Sequence, residues 1–288
     1  ERRLGVMRKA YEKNKELAAV FAGPACQGVF GGKPFAPVDK ESACHLSERQ
    51  QKLALEYQND LAQLRNRYIN GEETGFTVLC FPTPEVGEKF PEIFREIIRI
   101  NTLDYKKYQT IQQTIIDTLD QGVKVHVLGR GANHTDITVA LHELKDPAKE
   151  TIFENCVADC NIPVGEVFTS PKLAGTNGVL EVTETFLAGF YYKDLRVVFR
   201  DGMVTEYHCS NFDSEEKNLE YLKETIMNRH ESLPIGEFAI GTNPTAHAVT
   251  EKYGIGDQLP VLSAEKIGQH FAVGDTCHSW GETCQVDN

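Results

Sequence analysis

Two glutamates stand in matching places in this sequence, each directly after a glycine in an apolar, strand-like run. Glu166 lies in PVGEV, residues 163–167, and Glu237 lies in PIGEF, residues 234–238. A carboxylate in an apolar strand must be paired, hydrogen-bonded or bound to a cation, because an unpaired buried charge is costly. The repeat therefore predicts that the two glutamates converge on a cation.

A third glutamate and a histidine extend this set further along the chain. Glu265 and His270 lie five residues apart in AEKIGQHFAVGD. Carboxylates and imidazole are ligands that suit zinc, cobalt or manganese, and two such ions sharing a carboxylate can activate a water for attack on a carbonyl. The four residues together predict a hydrolytic metal centre. Taken singly, each is also explained as a strand-edge carboxylate or a hydrogen-bonded core histidine.

The first half of the chain is predicted to alternate helices with strands. Apolar residues at helical spacing predict a helix over residues 1–22 and one long helical region over residues 90–120. Ser47 and Gln50 form a capping-box pattern that opens a further helix between these two. Strands are predicted over GFTVLCF, VKVHVLG and HTDITVAL, and the segment GVFGGKPFAPVDKES is predicted to be a loop. The core candidates of the long helical region are its isoleucines Ile93, Ile97, Ile98, Ile111 and Ile115.

The second half is predicted to be rich in short strands, with a helix over about residues 214–228. The predicted strands are GEVFTSP, GVLEVTETFLAGF, LRVVF, MVTEYHC, EFAIG, PVLS and QHFAVG. Asp201 and Gly202 form an Asp-Gly pair that predicts a hairpin turn. We therefore predict an α/β (α+β) fold, with an N-terminal alternating α/β domain over residues 1–150 and a β-rich metal-binding catalytic domain with interspersed helices over residues 151–288.

Composition and charge exclude several classes of partner. The net charge of −12 argues against nucleic acid or an anionic membrane, because both require clustered lysine and arginine. No apolar run approaches the roughly 20 residues that span a bilayer, so no membrane segment is predicted. The N-terminus lacks the apolar core of a signal peptide, which favours a cytoplasmic protein whose cysteines are reduced and buried.

The motifs quoted above resemble those of the aminopeptidase T and aminopeptidase S family, which are dinuclear metallo-aminopeptidases. The likeness covers residues 123–274. It implies that Glu166, Glu237, Glu265 and His270 are metal ligands. It also implies two divalent ions of zinc, cobalt or manganese, short peptide substrates with a free N-terminus, and a homodimer.

The sequence departs from this family's pattern after the metal-binding histidine. The family places a tyrosine seven residues after it, where this sequence has Cys277 beside His278. A later His-x-Asp pair of the family would lie beyond Asn288, where the sequence stops. We therefore expect the C-terminal end of the metal-binding domain to be incomplete.

Another His-x-Asp pattern occurs in the first half of the chain, in GANHTDITVAL. His134 and Asp136 have the spacing of the family's metal-binding pair but a different position in the chain. We prefer a strand-edge or inter-domain role for them, with contact to the metal site as the alternative.

The function that these observations favour is a metal-dependent aminopeptidase. Two alternatives stay open at this point. The departures near the C-terminus also fit a catalytically idle relative that acts as a binding or structural protein, and the same metal centre could serve a metal-dependent amidase.

Overall fold

The protein combines helices with antiparallel sheets, and the predicted α/β fold class is confirmed. The computed structural model describes residues 2–32, 40, 42, 46–157, 161–187 and 190–274. The helices are α1 Arg2–Lys13, α2 Lys15–Ala19, α3 Glu48–Asn66, α4 Phe90–Asn101, α5 Tyr105–Leu119, α6 Glu215–Thr225, α7 Pro244–Tyr253 and α8 Val261–Ala264. The strands are β1 Ala25–Phe30, β2 Thr77–Pro82, β3 Lys124–Leu128, β4 Asp136–Ala140, β5 Glu154–Cys156, β6 Glu166–Thr169, β7 Lys172–Leu187, β8 Phe190–Arg200, β9 Met203–His208, β10 Ile235–Gly241 and β11 Gln269–Val273. No helix in these ranges is both long and apolar enough to cross a membrane.

Local signals for two elements are confirmed. The predicted capping box is present at the start of α3, where the backbone N–H of Ser47 donates to Oε1 of Gln50 over 2.9 Å. The predicted hairpin turn joins β8 to β9, with φ of 43° at Asp201 and 71° at Gly202. Both signals are local in sequence, and their outcome depends little on the rest of the fold.

The prediction of one long helical region over residues 90–120 is wrong, because the chain forms two helices there. Asp104 accepts hydrogen bonds from the backbone N–H groups of Lys106 and Lys107 at 3.1 and 3.2 Å, and thereby caps a new helix, α5. Each helix has its own buried face. Ile98 and Ile111 are consequently 42% and 45% exposed rather than core residues. The buried isoleucines of these two helices are Ile93, Ile97, Ile100 and Ile116.

Three further elements differ from the sequence prediction. The predicted loop contains the end of β1, which pairs in parallel with β2. The segment PVLS forms the short helix α8 instead of a strand, and the preceding Pro260 in extended backbone starts it. Helix α7 was missed although its signals are present: Asn243 caps it, proline follows, and Gly254 ends it at φ 62°.

Two larger sheets form the body of the described part of the chain. One has the strand order β3-β4-β7-β8-β9, and the other has the order β11-β10-β6-β5. The first sheet takes strands from both sides of residue 150, and the division into two domains at that residue stays a prediction. The second sheet carries the candidate site. One of its faces packs on a buried apolar cluster of Ile116, Val139, Leu141, Phe153, Val167 and Phe238.

Candidate metal centre

The sheet β11-β10-β6-β5 separates apolar from polar side chains by the alternation of its strands. Phe238 on β10 pairs with Thr169 on β6 and with Phe271 on β11, and this face turns toward the apolar cluster. The neighbouring positions point to the other face. The second face carries the glutamates and the histidine of the sequence motifs.

Glu166 and His270 meet on this second face from strands that are not neighbours. Strand β10 lies between them, and there Gly241 pairs with Glu166 while Ala239 pairs with His270. Because paired residues lie on the same face, these small residues leave room above the central strand. Nε2 of His270 lies 2.9 Å from Oε1 of Glu166.

Glu237 joins them from β10 itself. In the regular pairing of β10 with β11, Glu237 lies opposite Ala272, two positions from the pair of Ala239 with His270, and therefore on the same face. The register shifts only beyond Glu237, toward Ile235. Oε1 of Glu237 lies 3.3 Å from Nε2 of His270. Both side chains are about one-fifth exposed, at 20% and 22%, whereas the side chain of Glu166 is only 5% exposed.

A buried lysine, which the sequence analysis missed, contacts the same carboxylates. Lys266 is fully buried, and its Nζ forms ion pairs with Oε2 of Glu166 and, over 3.1 Å, with Oε1 of Glu265. The same oxygen of Glu265 accepts a hydrogen bond from Nδ2 of Asn161 at 3.3 Å. A lysine beside a predicted ligand carries no periodic signal in sequence, so only the packing of its loop shows that it is buried.

The backbone around Lys266 is fixed by a close approach at the end of β10. A Cβ on Gly241 would lie 2.4 Å from the carbonyl oxygen of Glu265 and 2.5 Å from the carbonyl carbon of Lys266. The N–H of Gly241 donates to the carbonyl of Gly268 over 2.8 Å, and the N–H of Asn243 donates to the carbonyl of Lys266 over 2.9 Å. Glycine is therefore required here for the loop to carry Lys266 into the cluster.

The pKa values in the cluster reflect its burial and its ion pairs. Burial by itself raises the pKa of Glu166, but the hydrogen bond with His270 and the charge of Lys266 outweigh it and lower that pKa. Burial lowers the pKa of His270, and the adjacent Glu166 and Glu237 reverse this and raise it to about 10. The pKa of Glu265 is raised, chiefly by burial. The cluster without a metal ion is thus a network of charged groups.

A fully buried glutamine on α5 holds the strands of the site together. Oε1 of Gln112 accepts from the backbone N–H of Glu166 at 3.1 Å and from Oγ1 of Thr242 at 3.0 Å. Its Nε2 donates to Oδ1 of Asn155 at 2.7 Å and to the carbonyl of Cys156 at 3.0 Å. The position of Glu166 therefore depends on a helix more than 50 residues earlier in the chain.

A cavity of about 770 Å³ opens beside the three glutamates of the cluster. This volume lies in the range of roughly 300–1,000 Å³ that is typical of small-molecule sites. Glu166, Glu237 and Glu265 line one part of it, and Glu154 on β5 lies beside them. The rest of the lining includes apolar side chains, those of Tyr11, Phe21, Pro24, Ile69, Phe76 and Phe168, together with polar ones such as Arg65 and Asn66.

The other residues considered from the sequence lie elsewhere or outside the described residues. His134 contacts Glu181, with Nδ1 at 3.1 Å from Oε2, and Asp136 contacts His126, with Oδ1 at 2.8 Å from Nε2. These contacts fit the strand-edge role. Cys277 and the neighbouring His278 lie in the part of the chain that the structure does not describe.

Comparison with known proteins identifies the family of this chain. A family profile described as thermophilic metalloprotease (M29) matches residues 36–281, which is most of the sequence. The chain belongs to the thermophilic metalloprotease (M29) family. The match begins well before residue 123, so the family likeness of this metalloprotease is longer than its sequence motifs indicated.

A solved structure supports the fold of this chain. Wild-type AmpT from Thermus thermophilus superposes with a TM-score of 0.54 at 18% sequence identity, over 93% of this chain and 66% of AmpT. The chain thus spans about two thirds of the length of AmpT. At this identity the likeness concerns the fold. A search of curated proteins gave no match.

The donor atoms of the cluster fit the divalent metal ion that the family name implies. One ligand atom each from Glu166, Glu237 and His270 lies within 4.8 Å of the others. Two carboxylate oxygens and one imidazole nitrogen are a ligand set that zinc and similar ions accept in catalytic sites. Glu265 lies outside this group of three and contacts Lys266 instead.

Proposed function

We propose that this metalloprotease is a metal-dependent aminopeptidase that releases N-terminal amino acids, such as leucine, from short peptides. The observation that supports it most is the convergence of Glu166, Glu237 and His270 beside a cavity of about 770 Å³. Such a cavity has room for the end of a peptide. A divalent ion at this position would polarise the scissile carbonyl and lower the pKa of a water that attacks it.

Residues of the chain itself would hold and orient the substrate. The polar end of the cavity is lined by carboxylates, including Glu154, which is exposed and takes no part in the cluster around His270. A carboxylate there would attract the α-ammonium group of a peptide, and this would favour cleavage at the N-terminus. The apolar side chains of the lining, including those of Phe21, Phe76 and Phe168, would bury the side chain of the first residue.

The remaining features come from the sequence. The family resemblance implies zinc, cobalt or manganese as the ion, two ions in each centre and a homodimer, and the N-terminal sequence favours a cytoplasmic location with reduced cysteines. A second ion would need Glu265 as a ligand, together with further donor atoms from outside the group of Glu166, Glu237 and His270. Ion counting and light scattering after size-exclusion chromatography test the number of ions and the dimer directly.

The proposed reaction is tested with a pair of substrates that differ only at the amine. After loading with zinc or cobalt, the protein should cleave leucine anilide and lose that activity when the amine is acetylated. Cleavage of both substrates would indicate an amidase, and cleavage of neither would indicate an idle relative. Glu166→Gln should abolish metal-dependent turnover, whereas the exposed Glu206→Gln should not; equal turnover in the two variants would refute the site.

A further inference from the structure

The candidate metal centre already contains one permanent cation. Lys266 is fully buried and its ammonium group lies between Glu166 and Glu265, two of the four residues predicted to bind metal. A buried ammonium group is stable only when carboxylates compensate its lost hydration. In this structure the two glutamates therefore compensate the charge of the lysine.

The oxygens of these two carboxylates contact different partners. Oε2 of Glu166 faces Lys266, while Oε1 of the same group faces His270. Oε1 of Glu265 contacts both Lys266 and Asn161. A second divalent ion that bound Oε2 of Glu166 or Oε1 of Glu265 would have to displace the ammonium group of Lys266 from these oxygens.

We propose that the ammonium group of Lys266 takes the place of a second metal ion, so that the cluster binds a single divalent ion through Glu166, Glu237 and His270. This inference rests on the proposed metal-dependent function and departs from the two ions that the family resemblance predicts. Glu265 is then a positioning residue for Lys266 and not a ligand of the ion.

The balance of formal charge agrees with a single ion. Three carboxylates, one ammonium group and one divalent ion sum to zero when His270 is a neutral ligand. A second divalent ion would give this group a formal charge of +2, of which the exposed carboxylate of Glu154 beside it would offset only one unit. The side chains of the group are at most about one-fifth exposed. Uncompensated charge in such surroundings is strongly unfavourable.

Packing of its backbone also keeps the ammonium group of Lys266 in the cluster. Its carbonyl accepts the N–H of Asn243, and its backbone packs against Gly241 too closely for any side chain at that position. Withdrawal of the ammonium group would therefore require the loop between α8 and β11 to move as a whole.

The number of bound ions tests the inference. Purified chain is loaded with zinc, dialysed, and measured by mass spectrometry of the metal against protein concentration. We expect about one ion per wild-type chain, and about two per chain in Lys266→Met, because loss of the ammonium group frees Oε2 of Glu166 and Oε1 of Glu265 for a second ion. Lys252→Met, which changes an exposed lysine, is the matched control and should keep the wild-type count.

A second variant keeps the test decisive if Lys266→Met does not fold. By calorimetric titration, Glu265→Gln should keep about one zinc per chain and weaken its binding by no more than roughly 10–100-fold, the typical cost of losing an outer partner, whereas Glu237→Gln, which removes a direct ligand, should weaken it further. Two ions in the wild-type chain, or a loss of affinity in Glu265→Gln as large as in Glu237→Gln, would overturn the inference and leave the proposed function intact. No bound zinc would overturn both.

Discussion

Nε2 of His270 lies 2.9 Å from Oε1 of Glu166 although a whole strand, β10, separates the strands that carry them. Adjacent strands lie about 4.8 Å apart, so the two backbones are separated by roughly twice that distance. The side chains can meet because the intervening residues on that face are Ala239 and Gly241. The lack of large side chains on β10 is thus part of the metal centre, as much as the ligands are.

Enlarging Ala239 should separate the ligands. This residue is fully buried, and in Ala239→Leu the added carbons would occupy the space where Glu166 and His270 meet. We expect zinc affinity to fall at least about tenfold and stability to fall by about 1–3 kcal/mol, as overpacking usually costs. Ala174→Leu changes an exposed alanine on β7, in the other large sheet, and is the control. Unchanged affinity in Ala239→Leu would show that the ligands do not need this space.

Bound metal should stabilise the folded chain. A ligand present at about 1,000 times its Kd adds roughly 4 kcal/mol to the free energy of unfolding, provided that it binds the folded state alone. Saturating zinc should therefore raise the melting temperature of the wild-type chain by several degrees, and a chelator should reverse the shift. Glu237→Gln should show little shift, because it loses a ligand. An equal shift in both proteins would place the stabilising zinc at another site.

Gly241 should be intolerant of substitution while a neighbouring glycine is not. In Gly241→Ala the new Cβ would clash with the backbone of Glu265 and Lys266, which cannot move aside as a side chain can. We expect a loss of about 1–3 kcal/mol in unfolding free energy, together with weaker zinc binding. Gly268→Ala lies in the same loop and its Cβ would contact nothing within 4 Å. Chemical denaturation compares the two, and similar midpoints would contradict the packing described for this loop.

Gln112 should contribute to stability and to the position of Glu166 at once. Gln112→Leu keeps the volume but removes the partner of the N–H of Glu166 and of the side chains of Thr242 and Asn155. Each buried polar group left without a partner costs about 1–3 kcal/mol, so we expect a loss of at least about 2 kcal/mol in urea denaturation. Gln109→Leu alters an exposed position on the same helix and should change stability little. Comparable losses in the two variants would disprove the bridging role.

The ion pairs of Glu181 should make stability depend on pH. The backbone N–H of His134, then its side chain and the charge of Arg196, lower the pKa of Glu181 below its ordinary value. A lowered pKa in the folded state adds stability above the unfolded pKa, near about 4.3, and that stability is lost as pH falls through the folded pKa. Glu181→Gln should thus be less stable at pH 7, by at most about 1 kcal/mol for such an exposed pair. The difference should vanish at low pH. A difference that persists there would point to lost packing.

The sequence by itself determined the candidate ligands and, for Glu166, Glu237 and His270, the strands that carry them, whereas Glu265 ends the short helix α8. Gly-Glu pairs in apolar runs marked Glu166 and Glu237, and the spacing before QHFAVG marked Glu265 and His270. These signals are local, because strand alternation decides which side chains share a face and a short sequence motif is enough to show that alternation. Capping at Ser47 and the hairpin at Asp201 were predictable for the same reason, whereas the break at Asp104 was hidden within a continuous apolar pattern.

Only the tertiary structure decided which of these groups meet. Gln112, Ala239 and Lys266 carry no periodic or motif signal, because their roles depend on contacts between segments far apart in sequence. Lys266 lies 100 positions after Glu166 in the sequence, and its burial follows from the packing of one loop against Gly241. A buried charge is tolerated only where its partners are already in place, and sequence order alone does not reveal that arrangement.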